Sequence, residues 1–227
     1  MKHLIYLFAL AATFSLGSSD DAPVEVKKGE LLFSDDFERS ELGKDWKVVI
    51  PGFKIADGKL VGTQDRDDHG AVGRTYLPMK DVVMSFRFLL PKGCTFNVVF
   101  DDKNFKGSHA GHICRVAVTP KQIRIGDDKE GIMRNDIFAM RRDPKTKADS
   151  ELLLKGRGVI LKEPVKLDIW HDLKIELIDD LLQVSLNGKS LGSLNSPGIA
   201  HPSKESVHFT VNGNGILFDD LKIWKAE

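Results

Sequence analysis

The sequence predicts an all-β fold, a two-sheet sandwich carrying one short helical insertion. Three observations predict it. Short runs of alternating apolar and polar residues recur from Leu31 to Trp224, turn residues punctuate them at close intervals, and no strand–helix–strand rhythm runs along the chain. The length of 227 residues suits one all-β domain, and a hydrophobic fraction of 41% is enough for a packed core.

The opening MKHLIYLFALAATFSLG has the build of a secretory signal, with Lys2, an apolar run from Leu4 to Leu16, and Ser15-Leu16-Gly17 as a small-x-small cleavage candidate. The expectation is a signal peptide over 1–17, a flexible lead over 18–28 and one domain over 29–227. The protein is then secreted or periplasmic, with no membrane span in the mature chain.

Within the domain, Asp57-Gly58 between FKIA and KLVGT, and Asn187-Gly188 between LLQVSL and KSLGSL, predict two-residue hairpins. Pro91-Lys92-Gly93 divides VVMSFRFLL from CTFNVVF, Thr119-Pro120 divides HICRVAV from KQIRI, and Gly213 to Gly215 divide SVHFTVN from ILFDDLKIW. Residues 129–164 break the pattern. They are charged and lack period-2 alternation, and Pro144 with Ala148 to Lys155 predicts a short helix inside an insertion. Cys94 and Cys114 are too few for a disulfide framework. A hairpin centred near Lys106 would set Val98 opposite Cys114, leaving Cys94 out of bonding range, so two buried free thiols are expected.

Alternation sends Val82, Met84, Phe86, Phe88 and Leu90 to one face, joined by Phe96, Val98 and Phe100, by Cys114, Val116 and Val118, and by Ile123 and Ile125. The opposite face of these four consecutive strands then carries Arg87, Asn97, Asp101, Arg115, Gln122 and Arg124. Arginines and amides suit sugar hydroxyls, and Ala117 leaves room for a ligand. With 33 basic against 33 acidic side chains, the balance argues against nucleic acid as a partner and against an anionic membrane surface.

The segments LLFSDDFER, FKIADGKLVG and HGAVGRTYLPMKDVVMSFRF resemble the opening of a concanavalin A-like jelly roll, and WHDLKIELIDDLLQVSLNGKSLG with VHFTVNGNGILFDDLKIW resemble its close. More narrowly, the chain is similar to the 3-keto-disaccharide hydrolase domain family of exported bacterial proteins. The resemblance implies a concave sheet that takes a saccharide ligand or substrate. Where the family's strand commonly carries a Tyr-Glu pair, this chain has Cys114-Arg115, which weighs toward sugar binding over catalysis.

Cleaving a 3-keto-glycoside needs a general base for the C2–H made acidic by the ketone, and a cation or donor to hold the enolate. Asp101 or His112 are the candidate bases and Arg115 or Arg87 the electrostatic partners. Arg87, Asn97, Arg124, His69, His201 and Lys204 are candidate substrate contacts, His201 and Lys204 lying in the Pro-bounded loop SPGIAHPSK. No Glu-x-Asp-x-x-Glu strand supplies the two carboxylates of ordinary glycoside hydrolysis. No cofactor is required by this chemistry. His109 with His112, beside Asp101 and Asp102, could ligate a metal if His109 sits in a loop, and Asp36 with Asp219 could hold a structural calcium ion where the terminal strands meet. The alternative to an enzyme is a non-catalytic carbohydrate-binding module of the same fold.

Overall fold

Strands with a single apolar face become stable only by burying that face against a second layer. The computed structural model describes residues 23–227, so the expected signal peptide and residues 18–22 of the lead lie outside the described residues. The strands are, in order, β1 (Lys28–Asp35), β2 (Trp46–Ile50), β3 (Phe53–Ala56), β4 (Lys59–Gly62), β5 (Ala71–Met79), β6 (Val82–Leu89), β7 (Thr95–Asp101), β8 (His112–Val118) and β9 (Ile123–Asp127). Two helices follow, α1 (Asn135–Arg142) and α2 (Lys147–Leu153). The chain ends with β10 (Gly158–Leu161), β11 (Trp170–Ile178), β12 (Leu181–Leu186), β13 (Lys189–Asn195), β14 (Lys204–Asn212) and β15 (Ile216–Ala226).

They form two antiparallel sheets. One has seven strands in the order β10-β9-β8-β7-β14-β5-β2; the other has eight, in the order β13-β12-β11-β6-β15-β4-β3 with β1 added on β15. Between them, Phe86, Phe88 and Phe218 from the eight-stranded sheet interdigitate with Phe96 and Phe209 from the seven-stranded one. Ring centres lie 5.0 Å apart for Phe88–Phe96 and 4.3 Å for Phe209–Phe218. Each such ring, fully buried, contributes roughly 2–3 kcal/mol. Trp46 is buried in the same core and donates its indole N–H to Asp35 at 2.8 Å.

Both two-residue hairpins are present, β3–β4 and β12–β13. Pro91 to Gly93 behave differently: β6 and β7 do not pair, and the turn carries the chain from one sheet to the other. Gly213 to Gly215 likewise join β14 to β15 across the layers. A turn motif fixes that the chain reverses, not whether it pairs with its predecessor or crosses to the facing layer. The expected four-strand polar face therefore splits, and Arg87 belongs to the far sheet.

The insertion holds two helices, not one, and closes with β10 at the edge of the seven-stranded sheet. Both cysteines are free and buried, but Phe100, not Val98, sits opposite Cys114. From Val24 the lead is tied down: Gln183 exchanges two side-chain hydrogen bonds with the Val24 backbone, and Lys27 exchanges two backbone bonds with Glu227.

Candidate active site on the outer face of the seven-stranded sheet

Strand register assembles the site. One row across the outer face of this sheet runs Arg74, His208, Val99, Arg115, Gly126, and the next runs Val72, Thr210, Asn97, Ala117, Arg124, Ile160. At the end of β7 the ladder slips. Phe100 faces Cys114 and Asp101 faces His112, so Ile113 has no partner of its own. This β-bulge resets the alternation of β8. Ile113 turns into the core with no exposed surface, while His112 joins Arg115 on the outer face beside Asp101. The loop before it needs glycine at 111, where φ is +76° and a Cβ would collide with the Asp102 carbonyl oxygen.

Asp101 is the hub. Its carboxylate lies 2.5 Å from Nδ1 of His112, 2.7 Å from Nδ1 of His208, and accepts a hydrogen bond from Arg74 Nη2 at 3.0 Å. Burial pushes the Asp101 carboxyl up, but the hydrogen bonds from His112 and His208 outweigh it and bring it down from 3.8 to about 2. The carboxylate is therefore ionised at neutral pH and only accepts. Each Nδ1 must carry the hydrogen, so in the neutral ring the lone pair is at Nε2. Burial also lowers the His208 pKa, against the pull of Asp101, which favours the neutral imidazole. The same three residues place donor atoms within 4.8 Å of one another, a mixed nitrogen and oxygen set of the kind that holds a divalent cation.

Two adjoining cavities open on this face. The first, of about 220 Å³, is lined by His69, Arg74, His109, His112 and His208 among others. His109 stacks on Phe138 of α1 with ring centres 4.1 Å apart, so the insertion forms one wall. The second, of about 290 Å³, lies toward β9, β10 and α2, and shares Asn97 and Arg115 with the first. Arg115 Nε donates to both oxygens of buried Asp128, at 2.8 and 2.6 Å, while its buried Nη2 has no partner.

Of the residues singled out from sequence, Asp101, His112, Arg115, Asn97, Arg124 and His69 share this face. Four groups do not. Arg87 lines a separate cavity of about 580 Å³ on the eight-stranded sheet, lies 3.5 Å from Asp220 and sits over Trp170. Lys204 is fully buried and donates to the carbonyls of Lys80, Ile199 and His201, so its charge clamps a loop instead of meeting a ligand. His201 is buried against Asp102, at 3.0 Å, for the same structural reason. Asp36 and Asp219 do not converge: Asp36 accepts the Glu38 N–H in a turn, whereas Asp219 meets Lys59 Nζ at 3.1 Å, an ammonium where a cation was expected.

His208, Arg74 and Arg157 complete the face and were not singled out. His208 was legible in SVHFTVN, where Val207, Phe209 and Val211 alternate with it. Its partner Asp101 lies on a strand 107 residues away in sequence, which no spacing rule exposes.

No family model and no curated protein sequence matches this chain. Its likeness is to solved structures. Superposition on SCLam, a non-specific endo-β-1,3(4)-glucanase from family GH16, gives a TM-score of 0.62 over 90% of this chain and 94% of that one, at 9% identity. Porphyranase B from Zobellia galactanivorans gives 0.60 over 87% and 92%, at 10% identity. The carbohydrate-binding module CBM66 from Bacillus subtilis gives 0.54 over 80% and 96%, at 10% identity. These likenesses show the fold, a concanavalin A-like jelly-roll sandwich.

Proposed function

We propose that this chain is an exported carbohydrate-active protein that cleaves 3-keto-glycosides by base-initiated elimination followed by hydration. The observation that carries the reading is the Asp101 carboxylate bound to Nδ1 of two histidines, which presents two imidazole bases with ring centres 5.6 Å apart. His112 removes the C2 proton, and the electron pair passes to the ketone oxygen as an enolate. The enolate collapses to a C1–C2 double bond and expels the glycosidic oxygen, which takes the proton from the imidazolium. Water then adds at C1 and a proton returns to C2, so the sum is hydrolysis. Asp101 stabilises the imidazolium and holds its tautomer, and the Arg115 guanidinium, which lines the same cavity, is the cation for the enolate oxygen.

Two-carboxylate hydrolysis finds less support. Asp101 serves the histidines, Asp128 serves Arg115, and Asp127 accepts from Ser196, Gly198 and Glu130. The test is incubation with 3-keto-trehalose in D₂O. Release of monosaccharide with deuterium at C2, lost in His112→Gln, is the expected result; no exchange and no cleavage would overturn the reading. A non-catalytic saccharide-binding module is the second reading, favoured by Arg115 where the resembled family carries an acid. It requires saturable binding without C2 exchange.

A further inference from the structure

The second cavity has a charge balance that the elimination chemistry does not use. Its floor is made of small residues, Ala117, Gly126 and Gly158, and three arginines look onto it: Arg115 from β8, Arg124 from β9 and Arg157 just before β10. In a chain whose formal charges sum to zero, three guanidinium groups around about 290 Å³ need an account. Arg124 makes no side-chain hydrogen bond or ion pair among the described residues. Arg157 donates only to the neutral hydroxyl of Ser196, at 3.1 Å. Arg115 is neutralised through Nε by Asp128, yet keeps a buried Nη2 with no partner.

The acidic residues that line the same cavity cancel them only in part. Glu151 is bound to Arg141 at 2.7 Å, whereas Asp127 accepts only from neutral donors, the Ser196 hydroxyl and the backbone N–H groups of Gly198 and Glu130, so its formal charge offsets one of the three guanidinium groups. Guanidinium groups gathered on one face of a sheet are the geometry that planar, multidentate anions select. The volume lies at the small end for ligand pockets and suits a single sugar residue.

We infer that this second cavity is a subsite for an acidic sugar residue, one carrying a carboxylate or a sulfate ester, next to the residue held at the histidine pair. The inference rests on the saccharide-cleft reading above and narrows its substrate class. Arg124 supplies the uncompensated charge, and Arg157, linked to Asp127 only through the Ser196 hydroxyl, supplies a second guanidinium face. Arg115 lines both cavities, so its guanidinium stands between the acidic residue and the reacting one.

Isothermal titration of the mature protein with glucuronosyl-glucose, its 6-O-sulfated glucosyl-glucose counterpart and the neutral disaccharide tests this. At least one acidic sugar should bind about tenfold more tightly than the neutral one in about 50 mM salt, and the gap should shrink toward about 500 mM. Whichever acidic ligand leads identifies the source of the anion. In the double variant Arg124→Gln, Arg157→Gln, the ratio of acidic to neutral affinity should fall toward one. Both side chains are solvent-accessible, and a thermal melt reports whether the variant is folded. Equal or tighter binding of the neutral sugar to the unaltered protein, or a preference that ignores salt, overturns the acidic subsite while leaving the saccharide reading in place. Binding of none of the three overturns the acidic subsite, and the incubation with 3-keto-trehalose then decides the saccharide reading on its own.

Discussion

Replacing Asp101 by asparagine removes the one carboxylate that serves two histidines and an arginine, while keeping the shape of the side chain. In the fold that carboxyl is brought from 3.8 to about 2. At about 1.4 kcal/mol for each tenfold change in proton affinity, the ionised form contributes about 2 kcal/mol of folding stability at neutral pH. The sign follows from the direction. A depressed folded value means that the contribution is fully present above 3.8 and disappears as pH falls toward about 2. The substituted amide would also present its N–H₂ to one histidine Nδ1, forcing that ring into the other tautomer and taking its Nε2 out of service as a base. Urea unfolding of both proteins between pH 7 and pH 2, followed by circular dichroism, should show Asp101→Asn less stable by about 2 kcal/mol at pH 7, with the two curves converging at the acid end. A gap below about 0.5 kcal/mol at pH 7, or one that persists unchanged to pH 2, would refute the assignment of Asp101 as an ionised acceptor.

Other consequences are as direct. Burial lowers the His208 pKa below its ordinary 6.5, so the unfolded chain takes up that proton first and stability falls as pH drops below about 6.5. His208→Gln should flatten the slope between pH 7 and pH 5 in chemical denaturation, and an unaltered slope would exclude His208 as its source. Lys204→Met leaves the carbonyls of Lys80, Ile199 and His201 without their shared donor, and a loss of about 2 kcal/mol in urea unfolding is expected. Gly52→Ala drives a Cβ into the Thr63 carbonyl oxygen at a φ of +126°, and should lower the melting point by several degrees through a loss of about 3 kcal/mol. Cys94 and Cys114 should resist Ellman's reagent in the native protein and react fully in guanidinium; fast native reaction would contradict their burial.

Much of this architecture was legible because it is periodic. Phe96, Val98 and Phe100, or Val207, Phe209 and Val211, alternate with polar residues and declare a strand and its buried side wherever the chain sits. Asp57-Gly58 and Asn187-Gly188 declare hairpins because Asp57 and Asn187 both take positive φ there, at 51° each. What was hidden depends on long-range pairing. Nothing local tells that β7 pairs with β14, which brings His208 to Asp101, or that Pro91 to Gly93 cross between layers and carry Arg87 away. Lys204 misled for a related reason. A loop lysine reads as solvent-facing unless carbonyls converge on it, and here the loop's own Ile199 and His201 carbonyls are joined by that of Lys80 from a distant turn.

The unpaired Ile113 has an evolutionary corollary. Closing the slip at unchanged chain length would pair Asp101 with Ile113, turn Ile113 outward and His112 inward, and leave Asp101 with His208 and Arg74 alone. A proton-moving surface and a merely adhesive one would then differ by one step of register in β8, with every other strand untouched. Relatives of this chain should accordingly be sorted by whether the ladder slips where Asp101 meets His112 before their side chains are compared.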